Sequence, residues 1–173
     1  MTADAAVELL RLFSAHGIAV HVDGGWGVDA LLGEQTRPHD ELDIAMQHRD
    51  VPKVRALLAG RGFREIPRDD SWACNFVLAD DSGRRVDVHS YEFDDQGKLR
   101  FGVPYPAESL TGHGKIGDLP VACIAADWLI EFHTGYELDW NDYRDVAALC
   151  IRFGLAMPPE FARFREEDMC SQD

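Results

Sequence analysis

The chain has 173 residues, 46% of them hydrophobic, which suits one domain with a real core and excludes a disordered polypeptide. Its 31 acidic residues against 17 basic ones leave a net charge of −14, a surface that repels nucleic acid and anionic membrane and attracts cationic small molecules. No apolar run approaches the roughly 18 residues that span a bilayer. The first 15 residues lack the basic start and unbroken apolar stretch of a signal peptide, so a cytoplasmic location is expected.

Val7, Leu9, Leu10, Leu12 and Phe13 form a helical stripe over residues 3–16 that stops at Gly17. Residues 18–22 read as a short buried strand, broken sharply by Gly24-Gly25, with a helix over 26–32 ending at Gly33. Residues 41–46 read as a strand, with Leu42, Ile44 and Met46 on one face and Glu41, Asp43 and Ala45 on the other. A helix over 51–60 follows, with Asp50 as its N-cap. Strands over 72–79 and 84–91 are joined by the hairpin turn Asp80-Asp81-Ser82-Gly83. A further turn at Asp94-Asp95-Gln96-Gly97 leads to a short strand near Leu99. Residues 102–118 are rich in Gly and Pro and read as loop, and 119–124 as the last strand. Helices are expected over 125–135 and 139–153, with a short final one started by Pro158-Pro159. The hairpin argues against an all-parallel doubly wound sheet. The expected fold is therefore α/β (α+β): a mixed β-sheet flanked by helices over 1–124, with a C-terminal helical region over 125–173 packed against it as one unit. Cys74, Cys123, Cys150 and Cys170 lie far apart and form no C-x-x-C pair, which speaks against a zinc site and a disulfide framework.

Three features carry chemistry. In Asp23-Gly24-Gly25-Trp26-Gly27-Val28-Asp29 a strand turns through two glycines into a helix. Glycine lets a ligand approach the backbone, and the helix start offers free N–H groups and the positive end of its dipole, a phosphate-binding geometry. In His39-Asp40-Glu41-Leu42-Asp43-Ile44, Glu41 and Asp43 sit at i and i+2 on one strand face, with Cα atoms roughly 7 Å apart. Such a pair repels unless a cation sits between its members, and magnesium is the hard cation that suits oxygen ligands and phosphates. In Arg85-Val86-Asp87-Val88-His89 a third carboxylate lies between apolar strand residues. If that strand lies beside the first, three carboxylates share a face and can hold two magnesium ions roughly 3.5–4 Å apart, with Asp87 placed to take a proton from an acceptor hydroxyl. Each feature alone also reads as an ordinary turn or an exposed acidic strand face. Lys115, His89, His133, the four tryptophans and the acidic residues of 127–145 are lesser candidates for ligand contact.

Together the three features resemble the DNA polymerase β-like nucleotidyltransferase superfamily. Residues 23–29, Arg37-x-His39, Val86-Asp87-Val88-His89, Cys123-Ile124 and Phe132-His133-Thr134-Gly135-Tyr136 resemble the lincosamide nucleotidyltransferases. Thr36-Arg37-Pro38-His39-Asp40, Leu138-Asp139-Trp140 and Tyr143-Arg144 resemble the aminoglycoside 2″-nucleotidyltransferases. The resemblance implies the nucleotidyltransferase fold over 1–124 and a substrate-side helical region after it. It implies transfer of a nucleoside monophosphate, with ATP or another NTP as donor, to a hydroxyl of a small cationic antibiotic, with release of pyrophosphate. By position, Gly24 and Gly25 hold the triphosphate, with Arg37 and His39 touching phosphate. Glu41, Asp43 and Asp87 are metal ligands, and Asp87 is the general base. The chain departs from the family at Glu41, where Asp is usual. A homodimer is a further expectation, and the alternative is a non-catalytic or antitoxin-like protein of the same fold that binds nucleotide or a protein partner without turnover.

Overall fold

The computed structural model describes residues 1–170; the last three residues of the helical region expected over 125–173, and the side chains of Met169 and Cys170, lie outside what it describes. The chain opens with α1 (Ala3–Ala15), capped by Thr2, whose hydroxyl accepts from the Ala5 N–H at 3.2 Å. Then come β1 (Val20–Val22), α2 (Gly24–Leu32), β2 (Leu42–Gln47) and α3 (Val51–Ala59). Next are β3 (Arg64–Ile66), β4 (Asn75–Ala79), β5 (Arg85–Phe93) and β6 (Leu99–Gly102). The hairpin β7 (Gly112–Ile116) and β8 (Leu119–Cys123) precedes α4 (Ala126–Phe132), α5 (Trp140–Phe153) and α6 (Ala162–Cys170). Among the described residues no helix is long and apolar enough to cross a membrane.

The eight strands form one mixed sheet in the order β3-β4-β5-β2-β1-β8-β7, with β6 added to β5. Two neighbouring pairs, β2·β5 and β1·β8, are parallel; the rest are antiparallel. Strand alternation gives the sheet two buried faces. Leu42, Ile44 and Met46 of β2 join Val86 and Val88 of β5 in a cluster covered by Leu9, Leu12 and Phe13 of α1 and Val54 and Leu58 of α3. On the other face Ala45 and Tyr91 pack against Leu129 of α4, Val146 and Leu149 of α5, and Phe161 and Phe164. The C-terminal helices are thus a lid of apolar side chains on the face that also carries Asp43 and Asp87. The free cysteines Cys74, Cys123 and Cys150 are buried.

Three expectations need correction. The strand expected over 41–46 starts one residue later, so Glu41 lies just before β2. The short strand β3 was not anticipated; its pattern Arg64-Glu65-Ile66 is too brief and too polar to stand out. Residues 102–118 are not one loop, for they hold a 3₁₀ turn (Ala107–Thr111) and all of β7. Two of the glycines that suggested a loop, Gly112 and Gly114, are there for close approach. A Cβ on Gly114 would lie 2.1 Å from the carbonyl oxygen of Ala30, and one on Gly112 2.5 Å from that of Ile124. β7 is thereby laid directly against α2, which begins at Gly24-Gly25 itself, two residues earlier than expected. Gly114→Ala is therefore expected to destabilise the protein by about 2–3 kcal/mol, since the obstacle is backbone and cannot rotate away. Urea unfolding of the variant checks this, and a loss within about 0.5 kcal/mol of zero would refute the packing argument.

Candidate active site

The parallel pairing of β2 with β5 sets Asp43 directly opposite Asp87. Glu41, although outside the strand, still reaches them: one oxygen from each of Glu41, Asp43 and Asp87 lies within 4.8 Å of the others. This is the group among the described residues that has the geometry to hold a metal ion. Asp87 is only 6% exposed, and its Oδ1 has no hydrogen-bond partner, with His89 Nε2 at 3.5 Å. Burial, then the charges of Asp23, Asp87 and Glu41, push the Asp43 carboxyl well above the ordinary carboxylate range. Burial also pushes Asp87 up, against the pull of His89 and Arg68. An orphaned buried carboxylate oxygen and two carboxyl groups that resist ionisation fit a hard cation.

The glycine turn sits against this cluster. Gly24 has φ +54°, and a Cβ there would come 2.6 Å from Asp43 Oδ2. A Cβ on Gly25 would come 2.5 Å from His39 Nδ1 and 2.6 Å from Arg37 Nη2. The two glycines therefore make room for protein side chains as well as for any ligand. Asp23 caps the helix by accepting from the Gly24 N–H at 2.8 Å and also accepts from the Tyr105 hydroxyl at 2.5 Å. Burial and the adjacent Asp23 charge hold the Tyr105 phenol well above its usual range, so it stays a donor.

Arg37 and His39 both lie over the turn, each held by an acid. Arg37 Nη2 donates to Asp145 Oδ2 at 2.6 Å and its Nε to Oδ1 at 3.1 Å, joining the segment before β2 to α5. Asp145 is 2% exposed. His39 is buried, pairs through Nε2 with Asp29 and packs against Trp26 at 4.6 Å between ring centroids. Asp29 also accepts from the Thr36 N–H and hydroxyl, at 3.0 and 2.6 Å.

Beside the acids opens a cleft of about 380 Å³, lined by Asp23, Gly24, Asp43 and His89 on one side and by Tyr105, Phe132, His133 and Tyr136 on the other. Of the lesser candidates, only His89 and His133 line this cleft. Lys115 lies in β7 near Gly33, and Trp26 is core. Trp140 packs on Tyr143 and Phe164, and Trp128 on Phe132. Asp139 and Asp142 form the capping box of α5.

Residues 6–149 match the model of the family described as aminoglycoside-2″-adenylyltransferase. The chain belongs to that family. A lincosamide resistance protein of Staphylococcus haemolyticus is 27% identical over 147 residues, covering 82% of this chain and 89% of that protein. The fold matches a lincosamide antibiotic adenylyltransferase solved with lincomycin bound, with TM-score 0.75, 24% identity, and coverage of 86% of this chain and 96% of the other. It also matches ANT(2″)-Ia in complex with adenylyl-2″-tobramycin, with TM-score 0.72, 18% identity, and coverage of 87% and 88%. These relatives are antibiotic nucleotidyltransferases, and the family places the chain among enzymes of that type.

Two side chains in this family member's site escaped the sequence reading. Arg68, between β3 and β4, donates from Nη2 to Glu41 Oε2 at 2.6 Å and from Nη1 to Asp87 Oδ2 at 3.2 Å. Tyr105 comes from the stretch taken as loop. Neither stands at a motif spacing; an Arg in a polar turn and a Tyr after a Pro carry no signal until the fold closes.

The raised carboxyls make the metal-free protein pH-sensitive. A group whose folded value exceeds its unfolded one gives its full stability below the unfolded value, about pH 4 for Asp, and loses it as pH rises through the folded value. Without divalent ions, Asp43→Asn should gain stability over the parent as pH rises from about 5 to 8, read by urea unfolding. A stability difference independent of pH over that range would count against repulsion within the cluster.

Proposed function

We propose that the chain transfers AMP from ATP to a hydroxyl of a cationic antibiotic, lincosamide-like or aminoglycoside, and releases pyrophosphate. The observation that carries the reading is the register match of Asp43 with Asp87, which brings Glu41 into the same cluster beside a glycine turn and a cleft. Glu41, Asp43 and Asp87 would hold magnesium. When bound, magnesium supplies positive charge to the triphosphate and lowers the pKa of the acceptor hydroxyl.

The protein's own groups do the rest. The start of α2 offers the backbone N–H of Gly25 to phosphate, that of Gly24 being held by Asp23, and Arg37 and His39 stand over the turn. Asp87 accepts the proton of the acceptor hydroxyl. The hydroxyl oxygen bonds to the α-phosphorus as the bond to the β-phosphate oxygen breaks, and pyrophosphate leaves with the electron pair. Residues 1–124 supply this chemistry. The region from 125 onward, with Phe132, His133 and Tyr136, walls the acceptor cleft. Asp23 at the edge of the cleft attracts an ammonium group, while the aromatic wall excludes water around a sugar ring.

Incubation with ATP, magnesium and a panel of lincosamides and aminoglycosides should yield an adenylylated product by mass spectrometry, with pyrophosphate. Asp87→Asn should lower kcat on the order of 10²–10⁴-fold with little change in KM. If no acceptor is modified and ATP does not bind in a magnesium-dependent way, the catalytic reading falls and a non-catalytic binding role takes its place.

A further inference from the structure

The place between Glu41 and Asp87 already has a cation. Arg68 spans the two acids with separate nitrogens, 2.6 Å to Glu41 Oε2 and 3.2 Å to Asp87 Oδ2. Its backbone is fixed by a tight turn, in which the Arg68 N–H donates to Ser71 Oγ and the Ser71 N–H to the Arg68 carbonyl, both at 3.1 Å. Its side chain is 34% exposed, so the guanidinium reaches in from a solvent-facing segment. A fixed Cα with a long, half-exposed side chain can change partners without moving the backbone.

The two acids that Arg68 bridges are two of the three whose carboxylates have the geometry to hold a metal ion. A guanidinium seated on both acids sets a second positive charge beside a divalent ion and takes lone pairs from two of its three carboxylates, so the two cations compete. Once freed, the guanidinium remains tethered at the rim of the site proposed to take the triphosphate, and a planar fork of N–H donors is well matched to phosphate oxygens.

We infer that Arg68 is an exchangeable counter-cation: it bridges Glu41 and Asp87 before the metal arrives, yields those carboxylates to the divalent ion, and passes to the phosphates of the incoming nucleotide. The inference rests on the metal-site reading given under Proposed function. Its consequence is coupling. Metal alone must break the Arg68 bridge with no compensation, whereas metal with nucleotide gives Arg68 a new anion. The ion therefore binds weakly alone and more tightly with nucleotide.

Titration of the full chain with Mn²⁺, followed by the electron paramagnetic resonance of the free ion, tests this with and without a non-hydrolysable ATP analogue. Arg68→Met should bind Mn²⁺ on the order of tenfold more tightly than the parent in the absence of nucleotide. The tightening that nucleotide gives should be smaller than in the parent by about the same factor. Arg68→Lys keeps the charge but not the two-pronged bridge, so it should fall between them, and it carries the test if the Met variant does not fold. If the nucleotide-free Mn²⁺ affinities of both variants stay within about twofold of the parent, while Asp43→Asn abolishes binding, the exchange is overturned and the metal site stands. If the parent binds no Mn²⁺ under either condition, the metal-site reading itself fails and takes this inference with it.

Discussion

The structure turns on an electrostatic conflict: Glu41, Asp43 and Asp87 are brought within 4.8 Å of one another although like charges repel. Repulsion alone would splay them. What overrides it is burial on the opposite side of the same strands. Leu42 and Ile44 of β2 and Val86 and Val88 of β5 are fully buried in the cluster under α1 and α3. Burying each such side chain contributes about 1.5–3 kcal/mol. A one-residue slip of either strand would turn these residues out of the core. The register that keeps the apolar face dry thus forces Asp43 against Asp87 on the other face. Burial first, and then the mutual repulsion, leave the Asp43 and Asp87 carboxyls raised, and Asp87 Oδ1 is left without a hydrogen-bond partner.

The same constraint explains the surrounding groups. Gly24 has no side chain because Asp43 takes the space where its Cβ would be. Arg68 and His89 face the cluster and lower the Asp87 carboxyl against its burial. Asp23 adds to the repulsion on Asp43, yet its own oxygens are satisfied by Gly24 and Tyr105. Farther out, Arg37 connects the glycine turn to α5 through the buried Asp145. Removing Arg37 would leave the buried Asp145 carboxylate without its cation, so the position of the C-terminal helices is bound to the position of the turn.

Much of this was legible in the sequence for a physical reason. Strand residues alternating between apolar and acidic announce both the buried face and the acidic one, and Gly-Gly before a helical stripe announces a sharp turn. Helices with full apolar stripes, α1 and α5, were located to within a residue or two. The elements that escaped lacked local contrast. β7 reads His113-Gly114-Lys115, and its strand character comes from pairing with β8 and from the close approach of Gly114 to Ala30, which is tertiary information. The parallel neighbours β2 and β5 are separated by β3 and β4 in the chain, so their adjacency was only a condition of the argument until the sheet order supplied it. Arg68 was hidden for the same reason: its partners, Asp87 on β5 and Glu41 just before β2, are brought together only by the sheet order.

Net charge proved a coarse guide to where acidity acts. The C-terminal helices are rich in Asp and Glu, which suggested a cation-binding face. Yet Asp139 and Asp142 close the α5 capping box, Asp145 anchors Arg37, and Asp142 also accepts from the Tyr136 hydroxyl at 2.8 Å. These carboxylates are spent on holding the helix and its loop in place. The field in the cleft comes instead from Asp23 and Asp43, with Asp87 behind them, at the edge of a low-dielectric aromatic wall, where each charge is felt more strongly than on an exposed helix. A few acids placed by strand register therefore shape the local potential more than the excess of −14 spread over the whole chain.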